Sequence, residues 1–262
     1  MDVSAVLCDL DGVVWLAGQA IPGSVEAVAR LRASGRRVVF VTNNSAALVG
    51  DQEAALAAIG IEAVGDVLTS AGSAASLVRP GERVLVCGGP GVAEAVTAVG
   101  AVPVAGDDDA GAVGVDVVVV GLHREFSYAR LTIAAAAIRA GARLIGTNDD
   151  ATYPTPTGPI PGGGSLLAAV SVAGGVTPVV AGKPFPPMAA LARRRLQGPG
   201  PDSLVMIGDR PSTDGRFASA IGCPFALVRT GVTAPGEAVA GPVAIDAPDL
   251  AAVVDVIVEG GP

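Results

Sequence analysis

Four polar clusters in the chain could do chemistry together: Asp9-Leu10-Asp11-Gly12, Thr42-Asn43-Asn44-Ser45, Gly182-Lys183-Pro184, and Gly208-Asp209-Arg210 with Thr213-Asp214 close behind. They offer carboxylates, a hydroxyl, amides and one ammonium. Hard oxygen donors in that number suit Mg²⁺, which prefers carboxylate, carbonyl and water and commonly bridges to a substrate phosphate. An ammonium and a hydroxyl beside such an ion suit the negative charge of a phosphoryl group. A carboxylate can itself be the nucleophile, forming an aspartyl-phosphate. Asp9 and Asp11, two residues apart, can divide that labour if the chain kinks after Asp9, and Gly12 allows such a kink at little cost.

Lys183 is the only lysine in the chain; the other sixteen of its 17 basic residues are arginine. Guanidinium is a broad planar fork and ammonium a compact point charge. The lone lysine is therefore either the survivor of a compositional bias or the mark of a tight site. Each cluster also has a plain reading. An Asp at a strand end is commonly a helix cap or turn residue, Asn43-Asn44-Ser45 reads as turn and N-cap residues, and Gly208-Asp209 reads as a βα turn. Those readings leave unexplained why four such clusters follow four strands, one of them holding the sole lysine.

The elements that must position these residues alternate between short β-branched runs and Ala-rich stretches of helical length, the pattern of βα units and a parallel sheet. Strands are predicted at 5–8, 37–41, 83–87, 116–120, 143–145, 178–181, 204–207 and 225–228, and helices at 24–33, 51–59, 92–99, 128–140, 187–197 and 213–220. Ser24 is placed to cap the first helix, and Gly35, Gly60, Gly100 and Gly141 to end helices. In an open parallel α/β sheet, ligands bind beyond the carboxyl ends of the strands, so the four clusters converge if their strands are neighbours. Asn43 follows Asp11 by only 32 positions, enough for a turn, one helix and one strand; Lys183 follows Thr42 by 141, with further βα units between. A second domain therefore interrupts the first. The expected division is a core of residues 1–78 and 177–262 and an inserted α/β domain of residues 79–176, with Pro80-Gly81 and Gly174-Gly175 as joints.

In their order and types these clusters resemble the four motifs of the haloacid dehalogenase superfamily. Asp9-Leu10-Asp11-Gly12-Val13, Thr42, Lys183 and the stretch from Gly208-Asp209 to Asp214 correspond to them one by one. Ile21-Pro22-Gly23, Val41 to Ser45, Thr147-Asn148-Asp149-Asp150, Pro161 to Ser165 and Gly182-Lys183-Pro184 extend the resemblance to the NagD-like, p-nitrophenyl phosphatase branch with a class-two cap. The resemblance covers nearly the whole chain. It implies a Rossmann-like parallel-sheet core with an inserted α/β cap, and a Mg²⁺-dependent phosphatase. Asp9 is then the nucleophile and Asp11 the general acid and base; Asp9, Asp209 and the Asp11 carbonyl hold the metal. Thr42 and Lys183 hold phosphoryl oxygens, with Asn43 and Asn44 beside the phosphate, and Asp214 stands behind the metal or the lysine. In the cap, Asn148, Asp150 and Tyr153 with the Pro/Gly-rich run to Gly164 form a long loop, in which Asp150 and Tyr153 touch substrate.

The expected reaction is hydrolysis of a small phosphorylated metabolite such as a sugar phosphate, glycerol phosphate or phosphoglycolate. A phosphotransferase of the same fold and a non-catalytic metabolite-binding protein are the alternatives. An oxidoreductase is disfavoured, because Gly88-Gly89-Pro90-Gly91 has Glu94 where a dinucleotide motif needs its third glycine. A formal charge of −8 weighs against nucleic acid and anionic membrane. No apolar stretch reaches the length of a membrane span, and the start of the chain does not read as a secretory signal. Three scattered cysteines without a CxxC fit a reducing compartment, so the cytoplasm is expected, and caps of this kind can pair into a homodimer. His123, the only histidine, is read as structural or solvent-exposed, and Trp15, the only tryptophan, as packing under a loop.

Overall fold

A computed structural model describes residues 3–153, 158–198 and 200–260. The runs that carry consecutive apolar residues become central strands. Ala5–Cys8, Leu204–Gly208 and Phe225–Val228 are buried along their whole length, as strands covered on both faces must be. Ala5–Cys8 pairs in parallel on both sides, Val6 level with Val38 and with Val205. The six-stranded sheet runs Ile245–Ala247, Phe225–Val228, Leu204–Gly208, Ala5–Cys8, Arg37–Thr42, Val67–Thr69. Alternation along the strands sends Ala5, Leu7, Val39, Val41, Met206 and Leu227 to one face, against Met188 and Ala192 of helix Pro186–Leu196 and Phe217 and Ile221 of helix Arg216–Ile221. Helices Ser24–Ala33 and Leu250–Glu259 pack on each other and on strands of the same sheet, burying Val28, Leu31, Val253 and Val254.

The chain forms two compact units, one of Met1–Thr42, Gly50–Leu68 and Lys183–Pro262, the other of Asn43–Val49 and Thr69–Gly182. The second unit has its own five-stranded parallel sheet, ordered Val179–Val180, Arg143–Gly146, Val117–Val120, Arg83–Cys87, Val102–Ala105. Helices Tyr128–Arg139 and Gly163–Gly174 cover one face through Ile133, Ala134, Leu167 and Val170. Helices Ser70–Ala75 and Pro90–Ala98 supply Ala71, Ala74, Val92 and Val96 to a second cluster with Val84, Val86, Val117 and Val119. The insertion expected over 79–176 lies inside this unit, which also takes in 43–49, 69–78 and 177–182.

Several expectations change. The strand predicted at 178–181 is the shorter Val179–Val180, and it pairs with Arg143–Gly146 in the second sheet. Lys183 is therefore not carried on a core strand; the chain enters the first unit at that residue. Ser24 does not cap its helix, because its hydroxyl donates to the Val14 carbonyl at 2.7 Å, and the N-cap position is Gly23. The long loop expected up to Gly164 contains an antiparallel pair, Thr152–Tyr153 with Ile160–Pro161, and passes into a helix at Gly163; 154–157 of its Pro/Gly-rich run lie outside the described residues. Cys8, Cys87 and Cys223 are buried free thiols. No helix among the described residues is long and apolar enough to cross a membrane.

Candidate active site

Because Ala5–Cys8 lies between Leu204–Gly208 and Arg37–Thr42 in a parallel ladder, the residues at the carboxyl ends of these three strands are neighbours. They are Asp9, Asp209 and Thr42, and the last two are buried. The Asp9 amide still continues the sheet, donating to the Ile207 carbonyl at 2.9 Å. The next amide turns: Leu10 N–H donates to Asp9 Oδ1 at 2.8 Å. Gly12 completes the kink at φ 83°, and a Cβ there would lie 2.4 Å from Asp209 Oδ2. Glycine is needed at that position for both the left-handed backbone and the close approach.

Lys183 joins the first and last motifs. Its Nζ lies 2.8 Å from Asp9 Oδ1 and 2.8 Å from Asp214 Oδ1, and the side chain is 1% exposed. Asp214 sits in a single π-helical turn, Pro211–Gly215, ahead of helix Arg216–Ile221; its Oδ2 accepts from the Arg210 amide at 3.2 Å. Gly208 leaves room for it, since a Cβ there would lie 2.3 Å from Asp214 Oδ2. Burial works against the ammonium, but Asp214 and Asp9 outweigh it and push the Lys183 pKa up.

The carboxylates feel the opposite balance. Burial pushes the Asp9 pKa well up, Lys183 opposes it, and the Asp214 and Asp209 charges add to it. Asp209 is pushed up to about 6, by burial first and then by Asp214, while the Val232 amide works the other way. Asp11 is also raised by burial, opposed by a hydrogen bond from Trp15 and by Lys183. That bond, Trp15 Nε1–H to Asp11 Oδ1 at 3.0 Å, corrects the reading of Trp15 as mere packing.

Asp9, Asp209 and Asp214 each offer a carboxylate oxygen to a cluster whose atoms lie within 4.8 Å of one another. One ammonium among three carboxylates leaves two negative charges uncompensated, which adds to the effect of burial on Asp9 and Asp209. A divalent cation supplies that charge, and an all-oxygen donor set is the kind a hard ion takes. The residues present therefore fit Mg²⁺.

Asn43, Asn44, Asp150 and Tyr153 belong to the second unit. Asn43 Nδ2 donates to Asp150 Oδ2 at 3.0 Å, and the Asn43 carbonyl accepts from Ser70 Oγ at 2.7 Å and Asn148 Nδ2 at 2.9 Å. Asn44 Oδ1 accepts from the Ala46 amide at 3.0 Å, a local turn. Gly89 and Gly91 belong to this packing, since a Cβ on either would meet the Ala46 or Ala47 carbonyl at 2.6 or 2.1 Å. His123 contacts Arg130, whose Nη2 reaches Asp107 Oδ2 at 2.7 Å.

Sequence reasoning missed the segment after Phe225–Val228. Val232 N–H donates to Asp209 Oδ2 at 2.6 Å, and Thr233 Oγ1 to the Asp209 carbonyl at 2.6 Å. The signal was present, for Arg229-Thr230-Gly231 is a further polar cluster at the end of a buried strand.

A family model described as haloacid dehalogenase-like hydrolase matches residues 6–102, and one described as HAD-hydrolase-like matches 180–259. The chain is 42% identical over 241 residues to a D-glycerol 3-phosphate phosphatase of Mycobacterium tuberculosis, covering 89% of this chain but only 65% of that protein's length. It is 35% identical to an acid sugar phosphatase of Staphylococcus saprophyticus, with 89% of each chain covered. The solved structure of the M. tuberculosis glycerol phosphate phosphatase in complex with magnesium superposes with a TM-score of 0.80 at 39% identity, over 88% of this chain and 69% of that one. A p-nitrophenyl phosphatase from Archaeoglobus fulgidus superposes with a TM-score of 0.87 at 28% identity, over 98% and 100%.

Proposed function

The chain belongs to the haloacid dehalogenase-like hydrolases, on the branch of the NagD-like proteins and p-nitrophenyl phosphatases, and on that premise we propose that it is a Mg²⁺-dependent phosphatase that hydrolyses a small phosphorylated metabolite through an aspartyl-phosphate on Asp9. The observation that carries the reading is Lys183, buried and 2.8 Å from both Asp9 and Asp214, with Asp209 in the same cluster. The relatives' names, a glycerol phosphate phosphatase and an acid sugar phosphatase, support phosphorylated polyols and sugars as the substrate class.

In this reading an Asp9 carboxylate oxygen attacks phosphorus, and the bond from phosphorus to the ester oxygen breaks. Asp11, whose raised pKa favours the protonated form, gives its proton to the departing alkoxide. Asp11 then takes a proton from water, whose oxygen attacks phosphorus and releases inorganic phosphate and free Asp9. Lys183 and Thr42 bind phosphoryl oxygens, and Lys183 also keeps Asp9 oriented. Asp9, Asp209 and the Asp11 carbonyl would hold Mg²⁺, which when bound offsets the charge gathering on the phosphoryl oxygens. Asp214 holds Lys183, and residues 79–176 are the cap domain, within which Asp150 and Tyr153 select substrate.

The test is a panel of phosphate esters assayed for inorganic phosphate with Mg²⁺ and no added acceptor alcohol. Hydrolysis of a polyol or sugar phosphate that stops on chelation supports the reading. Turnover that appears only with an acceptor alcohol would make the chain a phosphotransferase, and full activity without divalent ions would overturn the metal.

A further inference from the structure

We propose that residues 229–233 are a strap that positions Asp209 for the metal, with Thr233 as its main positioning residue; the proposal rests on the metal reading above. The strap grips Asp209 at two points. Val232 N–H donates to the carboxylate Oδ2, and Thr233 Oγ1 donates to the carbonyl of the same residue, each at 2.6 Å. Two adjacent strap residues thus hold both the backbone and the carboxylate of one aspartate, which fixes the rotation that relates them. A third bond, Thr230 Oγ1 to the Gly12 carbonyl at 2.6 Å, ties the strap to the turn that follows the nucleophile.

The fit is too close for any side chain. A Cβ on Gly231 would lie 1.9 Å from Asp209 Oδ2, and one on Gly12 would lie 2.4 Å from the same atom. Apolar packing does not explain the close approach, because Val232 is 54% exposed. Polar anchoring does. The Arg229 guanidinium makes a two-point contact with Asp246, 2.8 and 2.6 Å, and its Nη1 donates to the Ala234 and Glu237 carbonyls at 2.9 Å each. The segment beyond Thr233 is thereby closed onto the base of the strap. Outer partners of metal ligands act in this way, by fixing the ligand's orientation before the ion arrives.

Calorimetric titration of Mg²⁺ into the metal-free full chain tests the proposal. Thr233→Val keeps the shape but not the donor, and should weaken Mg²⁺ binding by about tenfold, the low end for such partners. Its kcat at saturating Mg²⁺ should stay within about threefold of wild type, and Thr233→Ser should restore binding to within about twofold. If Thr233→Val does not fold by circular dichroism, Thr230→Val carries the same test, with binding weakened by at least about threefold. A folded variant that binds Mg²⁺ like wild type overturns the strap alone, as does a loss of kcat with unchanged binding or a Ser variant that rescues nothing. Wild-type protein that binds no Mg²⁺ overturns the metal reading and the strap with it.

Discussion

At Lys183 one buried ammonium faces two carboxylates at the same distance, 2.8 Å. Guanidinium would carry the charge but spread its donors in a larger plane. Lys183→Arg and Lys183→Met should both lose at least ~100-fold in turnover with the fold intact by circular dichroism; an Arg variant within about threefold of wild type would make the lone lysine a compositional accident. Trp15 gives a second test at this scale. If its N–H positions Asp11 as the proton donor, Trp15→Phe should slow hydrolysis of alkyl phosphates by about tenfold. Aryl phosphates, whose leaving groups need little protonation, should change less than about threefold, and equal losses on both would refute the role. That Asp9, Asp209 and Lys183 come together was legible in their residue types and their order along the chain. The indole bond was not, since the kink that Gly12 allows does not by itself fix where the Trp15 side chain turns.

Among the elements, the central strands read clearly because they are short, unbroken apolar runs between polar turns. Val67–Thr69 and Ile245–Ala247 did not, being edge strands of three residues each. Helix Gly163–Gly174 begins in glycines, and helix Leu250–Glu259 is rich in Val and Ile, which suit a strand equally well. The available signal there was Asp249, whose side chain accepts from the Ala252 amide at 2.9 Å as an N-cap. Lys183 was expected at the end of a strand of the core sheet, an error that follows from periodicity being blind to which sheet a strand joins. The helix predicted at 213–220 was read without its widened first turn, yet that turn sets Asp214 against Lys183. Its anchor is Phe217, fully buried against the sheet. Phe217→Ala should destabilise the first unit by about 3–5 kcal/mol, read from urea unfolding followed at Trp15, the only tryptophan; a loss below about 1 kcal/mol would contradict that packing.

For the molecule as a whole, the formal charge is −8, and two of those charges fall where three carboxylates share one lysine. With its pKa raised to about 6 in the metal-free protein, Asp209 takes up a proton more readily folded than unfolded. Its contribution to stability is therefore lost as pH rises from about 4 to about 6. Mg²⁺ must displace that proton, so its affinity should rise as pH rises through about 6. Affinity independent of pH across that range, by calorimetry, would count against Asp209 as a ligand. Rapid acid quench of turnover with a ³²P-labelled phosphate ester follows the covalent step on Asp9 itself. The expected result is an acid-stable, hydroxylamine-labile label on the peptide containing Asp9, absent from Asp9→Asn. Turnover without label on that peptide, or an Asp9→Asn variant that still releases phosphate at the wild-type rate, would contradict it.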